Sequence, residues 1–140
     1  MTRTLTAIAV TTVLAACGGN PAPGDEGYAY NVSGEYAAEF IADDGTVITG
    51  TVTMATARGG AVTGKLALDN PFTVTGDIEG VIDGSEMSLT MPYAIEETGC
   101  TGVASGIAQI AEGGGSLDGM IDIADDCGEA PSTATFSLVR

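Results

Sequence analysis

The chain has 140 residues, of which 19 are acidic and four are basic, so its formal charge is −15 at pH 7, and it contains no histidine and no tryptophan. A nucleic-acid-binding protein needs a basic surface, and this charge excludes that class. The absence of histidine also excludes Ser-His-Asp and Cys-His catalysis and most zinc and copper sites.

The first 17 residues have the layout of an export signal. Arg3 supplies a short positive start, Leu5 to Leu14 form an apolar run, and two alanines precede Cys17. The run is shorter than the roughly 20 apolar residues of a membrane-spanning helix, so we predict a signal peptide over residues 1–16. Its end, Leu14-Ala15-Ala16-Cys17, resembles the lipobox of bacterial lipoproteins.

The resemblance implies that Cys17 carries lipid. It implies diacylglycerol on the Cys17 sulfur, cleavage before this residue, and acylation of the new amine by a fatty acid such as palmitate. Several acyl chains make a stable anchor, so we expect a lipoprotein of the cell envelope that is held to its membrane by lipid. In Gram-negative lipoproteins an Asp after the lipidated Cys commonly signals retention in the inner membrane. Gly18 at that position favours the outer membrane if the host is Gram-negative.

Cleavage would leave a mature chain of 124 residues, which is enough for one domain. Its 19 acidic residues stand against Arg58, Lys65 and Arg140, so its formal charge would be −16. After Cys17 the chain is rich in Gly and Pro and has no periodic pattern. We therefore predict a lipidated Cys and a flexible tether over residues 17–29.

From Tyr30 onward, apolar and polar residues alternate with a period of two, which indicates strands with one buried and one exposed face. Turn sequences such as Asp43-Asp44-Gly45 and Asp83-Gly84-Ser85 separate these segments. Eight strands are predicted, with apolar sides that run Val32–Phe40, Ile48–Met54, Val62–Leu68, Val74–Ile78, Met87–Met91, Ala104–Ile110, Leu117–Ile123 and Ala134–Leu138.

Short connections favour antiparallel pairing of strands that are neighbours in sequence, and eight such strands can close into a barrel without exposed edges. We therefore predict an all-β domain over residues 30–140, a single antiparallel up-and-down meander closed into a small barrel. A two-sheet sandwich is the alternative. The strand count is similar to that of the lipocalins and avidins, but neither family's Trp-bearing motifs are present, so the resemblance transfers no site residues.

A glycine recurs on the apolar face of the predicted strands, between two apolar neighbours. An inward glycine permits sharp coiling of a strand or close approach of the opposite wall, and a ligand cavity is the alternative reason for it. We expect coiling around a packed interior. The repeated units are Val32–Tyr36, Ile48–Val52, Val62–Leu66, Val74–Ile78 and Leu117–Ile121.

Two cysteines remain after Cys17, and an exported protein favours their pairing. A hairpin centred on Gly113-Gly114 would place Cys100 opposite Cys127, in a register where residue i faces residue 227 − i. In that register every apolar-face residue meets another, for example Ile110 with Leu117. We therefore predict a Cys100–Cys127 disulfide with a stabilising role.

Acidic residues occur in pairs, but their pattern does not define a site. Calcium binding and two-carboxylate glycosidase chemistry each use clustered carboxylates. No Asp-x-Asp-x-Asp-Gly loop is present, and acids on exposed strand faces do not form a cleft. We expect no catalytic residues, no metal and no cofactor. The pairs are Asp25-Glu26, Asp43-Asp44, Glu96-Glu97 and Asp125-Asp126.

The leading functional hypothesis is a monomeric, non-enzymatic surface or interaction protein, with enzyme inhibition as one form of that role. Its contact surface would be the acidic exterior, facing a basic protein partner, or a predicted loop over residues 92–99 with an exposed Tyr93 and Ile95. The other interpretation of these two side chains is that they cap the open end of the barrel. The alternative function is a carrier of a small hydrophobic ligand, which needs an interior cavity of about 300 Å³ or more.

Overall fold

A computed structural model of the protein describes residues 19–127 and 131–140. The predicted signal peptide over residues 1–16, the lipidated Cys17 and Gly18 lie outside the described residues. Within the described residues, no helix is long and apolar enough to cross a membrane.

The domain is a closed barrel of eight antiparallel strands in sequence order, with β8 paired to β1. This confirms the predicted all-β meander and the closed form over the sandwich. The strands are β1 Gly34–Ala42, β2 Val47–Thr56, β3 Ala61–Asn70, β4 Val74–Asp83, β5 Glu86–Ile95, β6 Thr101–Ile110, β7 Ser116–Asp125 and β8 Ser132–Val139.

The period-two pattern determines which face of each strand is buried. In β1, Tyr36, Ala38 and Phe40 point into the barrel and are buried, while Glu35 and Glu39 face solvent. The other strands follow the same alternation. The buried side chains among the described residues are all apolar, since none that is polar or charged is buried.

Inward glycines permit close contact between neighbouring strands, and at Gly106 and Gly119 the close neighbours belong to the adjacent strands and not to the opposite wall. A methyl group built on Gly106 would collide with the Met120 carbonyl oxygen and lie 2.9 Å from the Ile121 Cα atom. One built on Gly119 would lie 2.7 Å from Cζ of Phe136, its cross-strand partner, so this ring covers the glycine. These glycines therefore allow strong coiling of the sheet.

The two ends of the barrel differ. One end, the capped end, carries the β2–β3, β4–β5 and β6–β7 turns together with residues 22–33, which we call the N-terminal cap. Pro23, Tyr28 and Ala29 of the cap each hydrogen-bond to a glycine in a different one of these three turns, at 2.6 to 3.1 Å. The other end, the mouth, carries the four remaining connections and has no such cover among the described residues.

The N-terminal cap differs from the flexible tether expected over this stretch. The Gly24 N–H donates to Asn31 Oδ1 at 2.8 Å, and Asn31 Nδ2 donates to the Asp25 carbonyl oxygen at 2.7 Å, so the segment folds on itself. Tyr28 and Tyr30 pack against the core, with ring centroids 5.9 Å apart. The glycines and prolines form turns that bring these two aromatic rings to the barrel, so composition alone was misleading.

Tyr36 and Arg140 complete the closure of the capped end. Tyr36 is fully buried, and its hydroxyl donates to the Gly114 carbonyl oxygen at 2.7 Å. Arg140 lies 5.8 Å from the centroid of the Tyr36 ring and donates to the Ser33 carbonyl oxygen at 2.7 Å. Burial raises the pKa of Tyr36, against the lowering effect of the nearby Arg140 charge.

Two tyrosines allow a matched test of the capped end, because each donates to a glycine carbonyl oxygen: Tyr36 in a buried hydrogen bond of 2.7 Å, and the half-buried Tyr28 in an exposed hydrogen bond of 2.6 Å. Tyr36→Phe should lower the free energy of unfolding by about 1–2 kcal/mol, because a buried carbonyl loses its donor. Tyr28→Phe should cost less than about 0.5 kcal/mol, because water can replace the hydroxyl. Urea denaturation of both variants checks this, and equal losses would contradict the closure described here.

Candidate functional site

The mouth opens into a cavity of about 430 Å³ that is lined by side chains from all eight strands. Most of the lining is apolar. Phe40, Leu66 and Met91 are buried core residues that form its deeper part, and Ala42, Ile48 and Phe72 lie nearer the opening.

The cavity exists because inward side chains are unevenly sized along the barrel. The largest fully buried side chains, which include Tyr36, Met87 and Leu117, fill the half near the capped end. Toward the mouth, the inward positions of β6 and β8 carry the small residues Ala104 and Ala134. The expectation of an interior packed throughout is therefore wrong for the mouth half of the barrel.

Residues 92–95 belong to strand β5 and not to the loop predicted over residues 92–99. Pro92 pairs with Val103 and Tyr93 with Gly102, so the strand continues to Ile95. Inward alternation of Met91, Tyr93 and Ile95 explains the extension. Pro92 lacks an N–H group, and it lies where β4 and β5 have a gap in their pairing, beside a shallow outer groove.

Tyr93 and Ile95 face the cavity. Both are half-buried, both pack against the core, and both line the mouth. The Tyr93 ring covers Gly102, where a methyl group would lie 2.6 Å from the Tyr93 Cζ atom. Burial raises the pKa of Tyr93, and the negative charges of Asp125 and Asp126 raise it further, so its hydroxyl stays protonated at neutral pH.

Carboxylates surround the mouth. Asp44 and Asp125 line the cavity itself. Glu97 accepts hydrogen bonds from the Thr73 N–H at 2.8 and 3.0 Å, and Asp126 accepts one from the Thr101 N–H at 2.8 Å. These bonds tie neighbouring mouth loops together.

The same kind of contact shifts the pKa values of three rim carboxyl groups. Backbone N–H donors lower the pKa of Asp44, Glu97 and Asp126, through Thr46, Thr73 and Thr101 respectively. The charged form of each group is therefore the one that the folded protein favours.

The chain order brings together acids that looked scattered in the sequence. Three of the four acidic pairs lie at the mouth, and only Asp25-Glu26 lies in the N-terminal cap at the other end. This grouping could have been predicted from the order of the connections, because alternate connections of an up-and-down meander lie at the same end of the barrel. The three pairs at the mouth are Asp43-Asp44, Glu96-Glu97 and Asp125-Asp126.

Cys100 and Cys127 lie at disulfide distance beside the mouth, with Cα atoms 5.6 Å apart. The β6–β7 register places Ile110 opposite Leu117 and Gly102 opposite Asp125, as the predicted pairing of residue i with residue 227 − i requires. Asp126 lies close to both sulfur atoms. A bonded sulfur pair supplies no thiolate ligands, so this group does not make a metal site.

The fold defines a class: a small antiparallel barrel of eight strands, closed at one end by its own N-terminal segment and open at the other. The sequence matches no protein-family model and no curated protein.

Solved structures of designed barrels share the β-barrel fold. One is EF1p2_mFAP2b bound to DFHBI, with a TM-score of 0.57, 12% identity, and coverage of 78% of this chain and 93% of that chain. Another is the redesigned β-barrel mFAP1 bound to DFHBI, with a TM-score of 0.55, 14% identity, and coverage of 78% and 94%. A third is a de novo fluorescence-activating β-barrel, with a TM-score of 0.51, 19% identity, and coverage of 80% and 95%. These similarities establish the barrel fold.

The rim carboxylates generate a pH prediction. A carboxyl group whose pKa is lowered by folding contributes stability above its unfolded pKa and loses that contribution as the pH falls through its folded pKa. Near pH 6, the free energy of unfolding of Asp44→Asn/Glu97→Gln/Asp126→Asn should therefore fall furthest below that of the wild type. Below pH 3 the difference between the two free energies should shrink. Urea denaturation at both pH values measures it.

A second triple variant, Asp83→Asn/Glu86→Gln/Asp118→Asn, removes the same charge from exposed strand positions away from the mouth. It controls for the relief of general self-repulsion in this acidic chain. The same pH response in both triple variants would show that the rim hydrogen bonds have no such effect.

Proposed function

We propose that this protein is a lipid-anchored, non-enzymatic carrier of the cell envelope that holds a small hydrophobic ligand in the mouth of its barrel. The single observation that carries the proposal is the open apolar cavity of about 430 Å³. This volume is above the roughly 300 Å³ at which small-molecule sites begin, and such sites are mostly apolar with a few polar groups. Here the polar residues of the lining are Tyr93, Asp44, Asp125, Thr46 and Ser132.

The lipobox resemblance at Leu14–Cys17 supports the anchoring part of the proposal. Gly19, the first described residue, leads into the N-terminal cap, so a lipid on Cys17 would hold the capped end toward the membrane. The mouth is at the opposite end of the strands and would face away from that membrane. Ligand exchange would then take place with the aqueous compartment or with a partner protein.

The designed barrels add support of a general kind. Two of them are described as bound to DFHBI, so a barrel of this shape can hold a small molecule. Their identities of 12% and 14% give no basis for assigning that compound, or any residue that contacts it, to this protein.

A cavity-filling substitution tests the proposal. Ala42 lines the mouth on β1, and Ala37 lies on the outer face of the same strand. The neutral apolar fluorophore N-phenyl-1-naphthylamine should bind the wild type with enhanced emission. Ala42→Trp should weaken binding by roughly tenfold or more, because the indole occupies the cavity, whereas Ala37→Trp should bind as the wild type does.

Fluorescence titration measures all three proteins, and thermal melting verifies that they are folded. Equal affinities for the two Trp variants would remove the mouth as the ligand site, and no enhancement with the wild type would count against the carrier function. Where the probe binds as expected, native mass spectrometry of protein released from its own envelope would identify the ligand as a retained adduct of small-molecule size.

The role of a surface or interaction protein is retained as a second candidate because of one feature of the barrel exterior. Exposed apolar side chains lie in a single row of cross-strand neighbours: Val81, Ile107, Met120, Ile41 and Val47, linked through Ser88 and Thr135. Their exposed fractions range from 39% to 59%. We call this the outer apolar row, and acids lie two positions away along β1, β4 and β7. The row would suit a partner with an apolar contact bordered by cations.

Site-specific photo-crosslinking tests this second candidate. A crosslinker at Met120 should form a protein adduct in the intact envelope, while one at Thr51, on the outer face of β2, should not. Adducts at both positions, or at neither, would contradict a specific role for the outer apolar row.

A further inference from the structure

The charged side chains that line the cavity are all negative. Asp44 and Asp125 line the mouth, and Asp43, Glu96, Glu97 and Asp126 belong to the same loops. The Thr46 N–H donates to Asp44 at 2.8 Å, and the Cys127 N–H donates to Asp125 at 3.0 Å, so both carboxylates are held in place, and neither has a neutralising partner among the described residues.

The cations among the described residues lie elsewhere. Arg140 is bonded to the Ser33 and Gly113 carbonyl oxygens at the capped end, and Arg58 lies in the β2–β3 turn at that same end. Lys65 forms an ion pair with Asp77 across the outer faces of β3 and β4. The described wall of the mouth is therefore apolar inside and negative at its entrance.

We infer that the ligand held in the mouth is a hydrophobic cation, a compact apolar body with an ammonium group that lies at the entrance beside Asp44 and Asp125. This rests on the proposed carrier function and adds the chemical class of the ligand. The apolar body would fill the space beside Ala104 and Ala134, and the ammonium group would stay near water while it neutralises the two carboxylates. The Tyr93 ring on the same wall can also receive a cation.

The same charges disfavour the most obvious hydrophobic ligand, a fatty acid. A fatty acid carboxylate at the entrance would meet the exposed Asp44 and the half-buried Asp125, with no cation nearby among the described residues, and like charges at short range repel. A neutral apolar molecule would fit the cavity but would gain nothing from its charged entrance.

Three compounds that share one rigid apolar body test the inference: 1-adamantanamine, 1-adamantanol and 1-adamantanecarboxylate. Calorimetric titration of the purified protein at low ionic strength should give the tightest binding for the amine, about tenfold tighter than the alcohol, with the carboxylate weakest. Addition of 0.5 M NaCl should reduce the preference for the amine, because salt screens exposed charges.

A charge-matched pair of variants locates the effect. Asp44→Asn/Asp125→Asn keeps the hydrogen-bond acceptors but removes both charges, so it should lose the preference for the amine and still bind the alcohol. Glu35→Gln/Glu112→Gln removes the same net charge from exposed positions at the capped end and should bind as the wild type does. Retained binding of the alcohol shows that the mouth variant is still folded.

The outcomes separate the two proposals. Equal binding of amine and carboxylate, or a preference that survives in Asp44→Asn/Asp125→Asn, would overturn the cationic class and leave the carrier function intact. If none of the three compounds binds and N-phenyl-1-naphthylamine does not bind either, the carrier function itself fails. An amine preference that only the mouth variant loses supports the inference.

Discussion

The pairing of β1 with β8 closes the sheet on itself, over six residue pairs from Ala37–Val139 to Ala42–Ala134. At this seam the rings of Phe40 and Phe136, which are cross-strand partners, stack with centroids 5.6 Å apart. Closure leaves no strand edge, so main-chain groups of the barrel wall pair between neighbouring strands, apart from the gap between β4 and β5 beside Pro92. Specific chemistry is then confined to the two ends and to the outer side chains, and the differences between those surfaces decide what the protein can bind.

Much of the fold could be predicted from the sequence because its signals are local. Alternation with a period of two gives eight strands, and short turns give their antiparallel order. The β6–β7 register followed from Cys100 and Cys127 together with the apolar match on either side of Gly113-Gly114. Each of these features depends on residues that are close in sequence or paired by one constraint, so no knowledge of the assembled barrel was required.

The features that were missed depend on the assembled barrel. The cavity arises because inward side chains on different strands, such as Ala104 on β6 and Ala134 on β8, are small at the same height. No single strand, taken alone, shows this shortage of side-chain volume. The Gly/Pro-rich start looked like a linker, yet Tyr28 and Tyr30 find partners only at the end of a formed barrel. The loop predicted over residues 92–99 starts at Pro92, a residue type that rarely lies in a paired strand, but β5 tolerates it where pairing to β4 is interrupted.

The two ends of the barrel differ in the size and charge of their side chains. The capped end buries the largest residues and uses Arg140 to satisfy carbonyl oxygens of the N-terminal cap and a turn. At the mouth, carboxylates accept N–H groups of neighbouring loops, which fixes the rim without a side chain crossing the opening. The packing of the capped end therefore does not require side chains to fill the mouth. An apolar space that water solvates poorly is left open beneath a rigid, negatively charged entrance, and a ligand that is apolar at one end and cationic at the other complements both parts.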